Sequence, residues 1–316
     1  MEKQRAILKN LLAIFTALML ALMIGCKDSP TDVVDNSEPN SDQEALLKIA
    51  DEDSSLASFE TNFNDEDLMS LAKVNTDIYP FRVGHKVRLV NRNLNVEFEG
   101  DSAIGTLTKT YEGVLLIAGS YSDTATVPDT ILQKPFTTTV TRTLIFVKIA
   151  NTAKPLLNWK LAAISLPEGG TGSANIEIQK VTVSIEGQDD LVIENPNEYF
   201  LNRWRKWWRE IPVLHMNQPA KIQVVVKSAY ADTDFVTLTY GADLRGSHRA
   251  KKKFELVSST PDGNGFYTKL YEQTYKANPF RGFFHAVINA FPKQVIFDDA
   301  SPVETNMWGI PYIVKF

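Results

Sequence analysis

The sequence predicts a mainly β protein, with an N-terminal α+β domain built on a curved antiparallel sheet and a β-sandwich domain after it. Three observations carry this reading. Leu94, Val96 and Phe98 alternate with Asn93, Asn95, Glu97 and Glu99, the period of a half-buried strand. Phe136–Ile149 is long and rich in Thr, Val and Ile, which suits a curved sheet. Beyond residue 174 the apolar runs are short, numerous and separated by turn residues, as in a sandwich.

The first segment is an address. Lys3, Arg5 and Lys9 against Glu2 make a positive start, and Leu11–Ile24 is apolar except for Thr16. A charged stretch, a short apolar run and a small residue before the cleavage point are the parts of an export signal. A spanning helix needs ~20 apolar residues, more than this run offers. The run Leu22-Met23-Ile24-Gly25-Cys26 resembles the lipobox of bacterial lipoproteins, with Met23 where that family usually has Leu. The resemblance implies that residues 1–25 are removed and that Cys26 is acylated and becomes the new N-terminus. It implies a lipid bilayer as partner and a place in the cell envelope, most naturally the outer membrane, on its periplasmic or surface face. Cys26 is the only cysteine, so neither an internal disulfide nor a cysteine metal site can form.

The formal charge is −5, but it is unevenly spread. Residues 27–67 hold thirteen acids against two lysines, leaving 68–316 at +4. Residues 26–44 are polar and acidic, and are expected to form a flexible tether. Ser41 and Glu44 have capping-box spacing before Ala45-Leu46-Leu47, predicting a first helix. A second is predicted where Asn64-Asp65-Glu66-Asp67 precedes Leu68, Met69 and Leu71, because acids favour a helix start.

Gly100-Asp101 reads as a turn, followed by strands at Ala103–Tyr111, Val114–Ala118, Phe136–Ile149 and Asn158–Ser165. This closes a first domain, 45–166. Pro167–Ser173 contains three glycines with Ser and Thr, and reads as a flexible linker. The second domain, 174–316, has candidate strands at Asn175–Ile185, Asp190–Glu194, Lys221–Tyr230, Phe235–Tyr240, Lys251–Val257, Gly265–Gln273, Phe283–Phe291, Val295–Phe297 and Trp308–Val314. In pattern, Val96–Ser165, especially Ile145-Phe146-Val147-Lys148 and Asn158-Trp159-Lys160-Leu161, resembles the cone-shaped fold of the nuclear transport factor and ketosteroid isomerase superfamily. That resemblance implies a pocket on the concave face. The second half is similar to an immunoglobulin-like sandwich, without the paired cysteines of antibody domains.

The most unusual segment is Arg203-Trp204-Arg205-Lys206-Trp207-Trp208-Arg209, with three of the five tryptophans and four cations. Trp faces and Arg planes can grip a glycan, lipid headgroups or an acidic protein. The same composition suits an insertion whose rings fill core while the cationic tails reach water. A second basic patch, Arg245, Arg249, Lys251, Lys252 and Lys253, with His248, suits a polyanion or a lysine-protected strand edge. His85, His215, His248 and His285 are far apart, and His285 lies in an apolar run as a core histidine would. Asp298, Asp299 and Glu304 offer oxygens for calcium, but sit in a sequence with the look of a polar turn. No metal site and no cofactor is implied.

A nucleophile elbow, a zinc-protease helix and a catalytic cysteine are all missing, so no catalytic residue is assigned. The expectation is a lipid-anchored, non-enzymatic binding or structural module whose partner is a glycan or an envelope protein. A net acidic, exported chain is a poor partner for nucleic acid. The alternatives are a small-ligand binder or enzyme using the cone-like pocket, and a scaffold subunit of an envelope complex.

Overall fold

The computed structural model describes residues 38–53, 78–203, 210–242 and 250–316. Helix α1 (Asp42–Glu52) begins where the capping box predicts. Ser41 Oγ accepts from the Glu44 N–H at 3.2 Å, and Glu44 Oε2 accepts from the Asn40 N–H at 2.8 Å. The last residues read as tether, Asp42–Glu44, are thus its first turn. The second predicted helix lies outside the described residues.

Three long antiparallel strands follow: β1 (Tyr79–Glu99), β2 (Ser102–Ser120) and β3 (Thr130–Lys148). Two strands were expected where β2 runs unbroken through Glu112-Gly113. After α2 (Pro155–Asn158) the chain forms β4 (Trp159–Ser165) and β5 (Glu168–Gly170). The remaining strands are β6 (Ile176–Ile185), β7 (Leu191–Ile193), β8 (Phe200–Asn202), β9 (Val213–His215), β10 (Pro219–Ser228), β11 (Phe235–Ala242), β12 (Ala250–Lys253), β13 (Glu255–Pro261), β14 (Tyr267–Lys276), β15 (Gly282–Phe291) and β16 (Asn306–Lys315), with α3 (Lys293–Phe297) between the last two.

Among the described residues these make two sheets, antiparallel except for the short β9 beside β16. The larger runs β1-β2-β3-β5-β16-β15-β11-β12, with β4, β8 and β9 attached, and the smaller runs β13-β14-β10-β6-β7. The mainly β class predicted from the sequence is therefore found. The smaller sheet packs face to face on part of the larger: Ile178, Val183, Val224 and Tyr275 share one core with Leu238, Ile288, Trp308 and Tyr312. The same core continues to Leu94, Leu107, Leu144 and Phe146 of the ribbon and to Leu46 and Ala50 of α1. A second core joins Val83, Leu115 and Ile117 to Val295, Ile296 and Phe297 of α3. Each such fully buried aliphatic side chain contributes ~1.5–3 kcal/mol.

Three sequence expectations are corrected. The segment read as a flexible linker holds β5, which is hydrogen-bonded on both sides, to Thr139–Thr141 of β3 and to Asn306–Trp308 of β16. Its glycines serve close approach: a Cβ on Gly170 would lie 2.3 Å from the Thr305 carbonyl oxygen. The described residues from Pro39 to Phe316 form one compact unit. Val295–Phe297, expected as a strand, is the end of helix α3; three apolar residues after Pro292 cannot distinguish the two periods. Lys251–Val257 is two strands, because the buried Phe254 carries the chain from the edge of one sheet to the edge of the other.

Candidate functional site

The register of β1–β3 sets three residues abreast at each step of the ribbon. At its waist the rows are Lys86–Val114–Pro135, Val87–Gly113–Phe136 and Arg88–Glu112–Thr137. Together they line an open groove of about 680 Å³. Gly113 makes the waist: a Cβ there would lie 2.6 Å from Phe136 Cζ and 2.9 Å from Val87 Cγ1, so only glycine lets the ring lie across the strand. Arg88 and Glu112 pair at 3.3 Å, both mostly in water, an interaction worth ~0–1 kcal/mol. Strand alternation divides these side chains between two faces: Lys86, Arg88 and Glu112 stand together on the exposed one, and Val87 and the Phe136 ring on the other, beside Gly113.

Four rows beyond Phe136, the face that carries it becomes basic. Directly opposed residues share a face, and the ladder partners run Arg92–Lys109–Val140–Gly169–Met307–Asn289–Thr237–Lys253 across all eight strands of the path. Arg142 stands one pair beyond Val140 on that face, and His285 two pairs beyond Asn289. Lys109, Arg142 and His285 are all buried. Burial, then Arg142, pushes Lys109 down to about 8, with Asp51 opposing. Burial also lowers Arg142 to about 9, against the pull of Tyr111 and Asp53, so it stays charged at pH 7. His285 falls to about 3, first through burial and then through Arg142, and is neutral at pH 7. The Tyr111 hydroxyl moves upward, chiefly by burial. The end of α1 supplies counter-charge: Asp51 pairs with Arg92 at 2.5 Å and Asp53 with Arg203 at 3.0 Å.

The other buried charges serve packing. Lys269 and Asp234, both fully buried, pair at 2.9 Å, and Asp234 also accepts from Ser228 Oγ at 2.9 Å and Tyr271 OH at 3.2 Å. Lys134 donates to the carbonyls of Val295, Asp298 and Ser301, fastening α3 and the turn behind it to the ribbon.

The sequence-predicted candidates are scattered by comparison. Cys26 lies outside the described residues. So do Trp204, Arg205, Lys206, Trp207, Trp208 and Arg209, leaving Arg203, which is held by Asp53. Arg245, His248 and Arg249 also lie outside. Lys251 and Lys253 are half-buried on β12, on the face of Thr237 and Thr239. Lys252 points the other way and donates to the Thr274 carbonyl at 3.1 Å. Asp298 accepts from Ala300 N–H and Ser301 Oγ, and Glu304 from Asn175 and Tyr230, as in a polar turn. His285 is a core residue. Sequence reasoning missed Lys86, Arg88, Lys109 and Arg142. The signal was parity: Arg142 takes an inward position in a strand whose other inward residues are Val140, Leu144 and Phe146.

No known protein-family profile matches the chain, and no curated protein matches it.

Proposed function

We propose that this is a lipid-anchored envelope protein whose body is a non-enzymatic binding module, and that the waist of the β1–β3 ribbon is its contact site. The anchor is Cys26, on the strength of the lipobox resemblance. The observation that carries the binding role is the open groove at the waist, where Lys86 and Arg88 share the exposed face of the ribbon. Such a surface suits an elongated acidic partner, which its cations attract. Among the described residues, β1 is the outermost strand of the larger sheet on the side of the groove.

Co-flotation tests both parts. Acylated protein is mixed with vesicles and with acidic polymers of two kinds, a uronic-acid glycan and a glutamate-rich peptide, and floated on a density gradient. The unaltered chain floats and carries an acidic polymer upward, and which polymer travels identifies the partner class. Cys26→Ser stays at the bottom. K86A/R88A floats but loses about tenfold or more in polymer binding, the size of effect a contact centre gives. Equal binding by K86A/R88A removes the groove assignment.

A further inference from the structure

Large apolar side chains stand in water at one end of the ribbon: Phe98 (47% exposed), Ile149 (55%) and Leu157 (58%), with Leu47 of α1 (38%) nearby. They gather around Trp159. The Phe98 ring meets it edge-on at 5.7 Å, the Ile149 N–H donates to the Asn158 carbonyl at 2.7 Å, and Leu157 lies in the short helix that leads into it. Helix α1 packs on α2 and β4, which brings Leu47 to the same end. The compact unit also begins here. Lys148 Nζ sits 5.7 Å over the Trp159 ring and 3.8 Å from Asp42, the first residue of α1.

We infer that this patch rests on the bilayer that holds the lipid anchor, and so sets the orientation of the body. The inference depends on the reading of Cys26 as the anchored residue. Fifteen residues lie between Cys26 and Asp42, sixteen steps of at most ~3.3–3.6 Å each. The body is therefore confined near the lipid surface, and the part closest to its point of attachment is this patch. The chemistry matches that surface. Aromatic and aliphatic side chains are bordered by Lys148 and Lys154, whose stems can lie along apolar groups while the ammonium reaches headgroups. Glu97 and Glu99 alternate with Phe98 and so stand on the opposite face of β1. A second copy of the chain is the poorer occupant: a stable protein interface needs ~1,000 Å² or more, and four side chains supply only part of that.

The sole native cysteine is Cys26, so an added one can be labelled alone once Cys26 is acylated. Leu157→Cys and, on the exposed strand β13, Val257→Cys are each labelled with a nitrobenzoxadiazole dye in the full acylated chain. The proteins are reconstituted in phosphatidylethanolamine–phosphatidylglycerol vesicles containing a doxyl lipid. The dye at 157 is expected to shift to the blue and to be quenched, while the dye at 257 does neither. Adding F98S and I149S should reverse both effects at 157 without loss of flotation. A protein that floats with a wet dye at 157, or one whose dye stays quenched after F98S and I149S, overturns the docking face alone. A protein that does not float overturns the anchor, and the docking face with it.

Discussion

His285 shows how position changes the chemistry of a residue. On β15 it is buried on the same face as Arg142, which together hold it at about 3, well below the ordinary imidazole range of ~6.5. The unfolded chain therefore takes up a proton at higher pH than the folded one. Between pH 6.5 and 3 stability rises with pH, is complete above 6.5 and is lost on acidification. Between pH 7 and 5 the unaltered chain should lose about 2 kcal/mol more than His285→Gln, measured by urea unfolding at each pH. Equal losses would show that His285 already titrates normally in the folded state. The apolar run around His285 is enough to read it as a core residue. Its electrostatic neighbour is not readable, because Arg142 lies 143 positions away and meets it only through the sheet.

At the scale of the element, the ribbon is defined by what occurs at its waist. A strand of nineteen residues such as β2 would ordinarily be stiffened by side chains along both faces; at Gly113 one is missing, and the Phe136 ring takes the space. Gly113→Ala places a methyl carbon 2.6 Å from that ring, well inside van der Waals contact, so one of them must move. We expect a loss of about 1–3 kcal/mol, read as a lower urea midpoint. In the double variant G113A/F136A the two effects should be clearly non-additive, since removing the ring removes the collision. Simple additivity would place the ring elsewhere. Much of the ribbon is legible beforehand: alternation from Leu94, the Gly100-Asp101 turn and the Thr-Val-Ile character of β3 all point to it. The continuity of β2 is not, because Gly113 looks like a strand break until its cross-strand partners are known.

In the whole unit, β5 is the seam between the ribbon and the strands that face the second sheet. Its backbone bonds to β3 on one side and β16 on the other, which requires a residue without a Cβ at Gly170. Residues 39–316 should therefore unfold in a single transition, and Gly170→Val should lower stability and separate that transition into two, by calorimetry. A single transition in the variant would mean that other contacts couple the halves. The sequence by itself determined the local terms: the capped start of α1, the strand-forming runs, the mainly β class, and the short apolar run before Cys26. Each depends on residues within a few positions of one another, where sterics and periodicity act directly. Only the tertiary structure decided that a glycine-rich stretch is a strand, that one row crosses eight strands from Arg92 to Lys253, and that Lys86, Arg88 and Glu112 line one groove. Those follow from register between distant segments, which is settled by the burial of both cores at once and is written in no single stretch of the chain.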